Sequence, residues 1–109
     1  MATRMLQFRY YDEGNENNNP NWQWQWYCTA SNFKKYSPMT AIGVQTLPGT
    51  KIYLNGSITP IIIGNSGIFE LDVANTSATI NNFRVDQESM KLIHDLQNGY
   101  LIVDIVYEE

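Results

Sequence analysis

A single cysteine, Cys28, cannot close an internal disulfide, and no CxxC or Cys/His spacing offers zinc a ligand set. The sequence therefore predicts a chain kept in a reducing compartment. Basic residues are few. Lys34 and Lys35 form the one basic pair, and the net charge of -4 argues against nucleic acid as a main partner. Long apolar runs are missing too. "MATRMLQFRY" has no stretch resembling a secretory signal, and "IIIG" is far too short to span a bilayer, so no membrane partner is expected. No GxGxxG, Walker or G-x-S-x-G pattern occurs, and the glycines of "GTKIYLNG" and "GNSG" are explained by turns. Charged residues make up only 17% of the chain, and the balance is filled by Asn and Gln. Such a surface is polar but weakly self-repelling, which suits assembly with other proteins.

What is present reads as strands. The 109 residues suffice for one domain, 1–109. "RMLQFRYYDE" alternates Leu6, Phe8 and Tyr10 against Met5, Gln7, Arg9 and Tyr11, a first strand with one apolar face. Residues 14–21, "GNENNNPN", contain no apolar side chain and read as a mobile loop. In "TAIGVQT" the central Gly43 predicts a bulge or a close backbone approach. "LPGT" places Pro48 and Gly49 where a type II turn needs them. Asn55-Gly56 predicts a tight type I′ hairpin between "KIYL" and "ITPIIIG", with Pro60 at an edge or bulge. "IFELDV" sets Ile68, Glu70 and Asp72 opposite Phe69, Leu71 and Val73, and "ATINNFRV" makes a further strand. Asp86 is placed to N-cap one helix, "QESMKLIHDLQN", with Leu92, Ile93 and Leu96 on one face and Gly99 as its left-handed stop. In "YLIVDIVYEE" Leu101, Val103, Ile105 and Tyr107 share a face while Ile102 and Val106 flank Asp104, which predicts a central strand. The expected fold is mostly β: an antiparallel sandwich, jelly-roll or immunoglobulin-like, of about seven or eight strands with one short helix before the C-terminal strand. Phe8, Ile42, Val44, Ile62, Phe69, Leu71, Leu101, Val103 and Ile105 are its expected core.

Catalysis finds little support. His94 is the sole histidine, and the adjacent Asp95 points about 100° away on a helix, so the two do not form an oriented pair. Cys28 reads as a small buried hydrophobe, without a nearby base to make it a thiolate. Glu70 and Asp72 can converge on a ligand or cation, but a solvated strand face is the better reading. Asp12, Glu13 and Glu16 lack the spacing of a calcium loop. No enzyme, metal or cofactor is expected.

The most distinctive stretch is "NWQWQWY". On a strand, Trp22, Trp24 and Trp26 form one row, with Gln23, Gln25 and Tyr27 on the other side. The row suits a core, a seam between subunits or a platform for stacking sugar rings. Three indoles present roughly 600 Å² of side chain, at 150–250 Å² each. The core named above already fills a small sandwich, so at least one tryptophan is expected to be buried between chains. Trp22, Trp24, Trp26 and Tyr27 are therefore the candidate interface or ligand-binding residues.

Further along, Ile42, Gly43, Val44 and Gln45 are followed by a hairpin segment with Pro48, Gly49, Thr50, Lys51 and Asn55. Next come Gly64, Gly67, Ile68, Phe69, Glu70 and Leu71, and the chain closes on "NGYLIVDIVYEE". This arrangement resembles a recurrent pattern in small structural proteins of tailed bacteriophages and prophages of Gram-positive bacteria. The resemblance covers about two thirds of the chain, from residue 42 onward, and leaves out the tryptophan strand. It implies a non-enzymatic virion component of the tail, baseplate or capsid surface, made in the bacterial host cytoplasm. Its partners are then other copies of itself and neighbouring virion proteins, and it brings no catalytic residues. A carbohydrate- or receptor-binding module built on the tryptophan row is the alternative.

Overall fold

A computed structural model describes residues 2–9, 31–33, 36, 38–75, 79–95 and 101–109. Trp22, Trp24, Trp26, Tyr27, Cys28, the Asn-rich stretch 14–21, Asp12, Glu13, Leu96 and Gly99 lie outside the described residues, as do the side chains of Phe8 and His94.

The described residues form two antiparallel four-stranded sheets and one short helix before the final strand. Sheet one contains β1 (Thr3–Arg9), β3 (Met39–Gln45), β6 (Ile68–Leu71) and β8 (Ile102–Glu108), in the order β1-β8-β3-β6. Sheet two contains β2 (Ser31–Asn32), β4 (Lys51–Leu54), β5 (Ile61–Ile62) and β7 (Asn82–Val85), in the order β2-β7-β4-β5. Helix α1 (Gln87–Asp95) follows β7.

One core joins the two sheets. Sheet one supplies Ile42, Val44, Val103 and Ile105, and sheet two supplies Ile52, Phe83 and Val85, all buried. Phe33 stacks on Phe83 with ring centroids 6.2 Å apart. β8 is central, as its two-sided apolar character predicts: Val103 and Ile105 are fully buried, and Ile102 and Val106 are half-buried on the other face. Asp86 caps α1, its side-chain oxygen accepting from the Ser89 amide at 3.3 Å.

Four local expectations are corrected. The irregularity of β3 falls between Met39 and Ala41, not at Gly43. Thr40 is the extra residue, and its hydroxyl donates to the Val106 carbonyl at 3.2 Å. Gly43 pairs in regular register with both Glu70 and Asp104, and an added Cβ there would meet nothing nearer than 4.0 Å. Asn55 and Gly56 do form the left-handed turn, with φ of 57° and 71° and the Ser57 amide donating to Leu54 at 3.0 Å. The hairpin is not tight, however, because Ile52 pairs with Ile61. Pro60 has no N–H, and the Thr59 amide donates to the Ser57 hydroxyl at 3.1 Å, so the ladder resumes late. Ile62 stands outside the core at 61% exposure, since it pairs with outward Lys51, and Ile63 is buried in its place. Leu92 is 65% exposed: α1 buries Ser89, Met90 and Ile93 instead, and Leu92 lies at the margin of that arc.

Candidate functional site

Pairing register determines which side chains meet on the outer faces. Across sheet one, Gln7, Asp104, Gly43 and Glu70 occupy one row. The Gln7 amide nitrogen donates to the Asp104 carboxylate at 2.9 Å. Gly43 has no side chain, so an open groove of about 350 Å³ lies over it. Ala41 extends its floor, Glu70, Asp72 and Asp104 supply carboxylates at its rim, and Val106 adds an apolar wall. The remaining outward residues of this sheet include Met5 and Ile68, both exposed, and Ile102, half-buried. A sheet face that meets only water alternates to polar residues. This one carries apolar residues beside carboxylates.

The outer face of sheet two carries two basic residues, Lys51 and Arg84. Tyr53 pairs with Arg84, and the guanidinium lies 4.0 Å from the centre of the tyrosine ring. Such a cation–π contact holds the arginine flat against the sheet. Lys51 and Ile62 are the next cross-strand pair on that face, both exposed.

A smaller groove of about 250 Å³ runs between the Pro48-Gly49 turn and α1, lined by Leu47, Thr50, Ser89 and Leu92. Its buried Ser89 hydroxyl accepts from the Lys51 amide at 3.1 Å, so this polar side chain has a structural task. At the far end of sheet one, the Arg4 guanidinium is held above its usual pKa by a hydrogen bond to Glu109 and by that carboxylate's charge. Both side chains of this pair are more than half exposed, which makes it a weak tie.

Glu70 and Asp72 do line one groove, as their spacing permits, and β8 adds a third carboxylate, Asp104. Sequence alone marks Asp104 only as a polar interruption of the last strand. The signal for its place in the groove is a lone acid in the middle of one apolar strand, together with a glycine in the middle of another. Among the described residues, no group of three or more His, Cys, Asp or Glu side chains is placed to hold a metal ion. The arrangement sets carboxylates beside apolar side chains on one open face. The candidate residues Trp22, Trp24, Trp26 and Tyr27 lie outside the described residues. Compared with models of known protein families, with curated proteins and with solved structures, the chain matches none.

Proposed function

We propose that this chain is a non-enzymatic structural subunit of a phage particle, in the tail, baseplate or capsid surface, acting through contacts with other copies and neighbouring virion proteins. One observation carries the reading: the outward face of sheet one, where Val106 lines a groove and Met5, Ile68 and Ile102 share the same face, is not uniformly polar. Apolar residues beside a few charges are what a protein-binding surface uses for burial and register. The low charge content and the resemblance from residue 42 onward support the same role. Trp22, Trp24, Trp26 and Tyr27 are proposed as additional interface residues.

The test is mass spectrometry of purified particles from a host carrying the gene. The chain is expected among the virion proteins, in copy number comparable to other structural subunits. Its absence from intact particles overturns the role. A tryptophan emission that shifts on adding glycans would favour the sugar-binding alternative.

A further inference from the structure

The two outer faces of the molecule complement each other. Sheet one presents a groove floored by Gly43 and Ala41 and rimmed by Glu70, Asp72 and Asp104. Sheet two presents Arg84, held on the Tyr53 ring, with Lys51 one pair along and Ile62 beside it. The groove is open where a strand glycine omits its side chain, and the opposing face raises an aromatic ring with a fixed cation. Because the sheets share one core between them, these faces look away from each other.

We propose that copies of this chain associate head to tail, the Arg84–Tyr53 stack and Lys51 of one copy seating on the acid-rimmed groove over Gly43 of the next. This rests on the proposed assembly role and names the partner and the surfaces for it. The occupant is a second copy, because both halves of the complementary pair are built into the same chain. Contacts between unlike faces leave one of each free at every step, so they generate a ring or a filament rather than a closed pair. Four strands about 4.8 Å apart, the longest strands of sheet two running four residues, at about 3.4 Å per residue give a face on the order of 260 Å². That is less than the roughly 800 Å² per partner of a standard stable interface. A single contact is therefore weak, dependent on concentration, and sensitive to salt where the charges remain hydrated.

Sedimentation velocity of the full chain across concentration tests this, with circular dichroism melts confirming that each variant folds. The wild type should associate, and association should fall as salt rises from about 0.1 M to 1 M, where the screening length shortens from about 10 Å to about 3 Å. Arg84→Glu breaks the basic side, and Glu70→Lys with Asp104→Lys breaks the acidic side. Each variant alone should lose at least tenfold in association. Mixed in equal amounts they should recover association, because the intact groove of one variant meets the intact basic face of the other and the two reversed faces also carry opposite charges. Gly43→Leu fills the groove without changing charge and should also block growth. Lys51→Glu serves for the basic side if Arg84→Glu does not fold. A wild type that stays monomeric, variants that associate like the wild type, or a mixture that stays monomeric would each overturn the proposal. A chain found in particles but monomeric here keeps the structural role and loses the head-to-tail contact. The expected pattern in a chain absent from particles does the reverse.

Discussion

Gly67 and Thr46 approach so closely that a Cβ built on Gly67 would lie 2.7 Å from the Thr46 carbonyl oxygen. The Thr46 amide donates to the Gly67 carbonyl at 2.9 Å, and Gly67 has φ of +73°. This pair aligns the start of β6 with the end of β3, and so sets the register that brings Glu70 beside Gly43. Gly67→Ala should therefore cost about 2 kcal/mol or more, combining a positive-φ penalty of roughly 1–2 kcal/mol with the backbone clash. Gly49→Ala has the same sign of φ but open space around it, so it should cost less. Urea unfolding of both variants checks the order, and equal midpoints would refute the clash.

Asn55 does more than turn the chain. Its side-chain oxygen accepts from the amides of Asn81 at 2.8 Å and Asn82 at 3.4 Å, and its amide nitrogen donates to the Thr79 carbonyl. Asn55→Gly keeps the left-handed backbone and loses these bonds, which should cost about 1–2 kcal/mol. Asn55→Ala should cost about 1 kcal/mol more, because it also strains φ. Thermal melts that rank glycine below alanine would contradict this account.

The companion position, Gly56, has φ of +71°, and a Cβ added there would have nothing within 4 Å. Gly56→Val should destabilise by about 1–2 kcal/mol through backbone strain alone. An unchanged melting curve would remove the need for a left-handed residue there.

At the start of α1, the Asp86 side chain accepts from the Ser89 amide, and its carbonyl accepts from the Met90 amide at 2.9 Å. Asp86→Ala should cost about 1 kcal/mol, while Asp86→Asn should cost less because it retains a capping oxygen. Denaturant titration separates the two, and equal losses would assign the effect to charge rather than to the cap.

The tryptophan row yields a prediction on association. Trp24→Ala, at the middle of Trp22, Trp24 and Trp26, should weaken assembly by about 2 kcal/mol or more if it anchors a seam. Light scattering across concentration reads this directly. A wild-type monomer with all three indoles shielded from solvent would make the row part of the core.

Much of the fold is legible in the sequence because its signals are local. The period-two pattern of Leu101, Val103 and Ile105 marks a buried strand face, and Pro48-Gly49 and Asn55-Gly56 permit few backbone conformations. Asp86 caps a helix through contacts three and four residues away. Tertiary register decided the rest. Ile61, Ile62 and Ile63 are chemically identical, and pairing with Lys51 sends the middle one outward. Leu92 and Ile93 are neighbours, and the angle at which α1 meets the core buries one and exposes the other. The groove over Gly43 exists because strands distant in sequence place Asp104 on one side of a glycine and Glu70 on the other. Such a row is a relation among strands, and alternation within any one strand does not encode it.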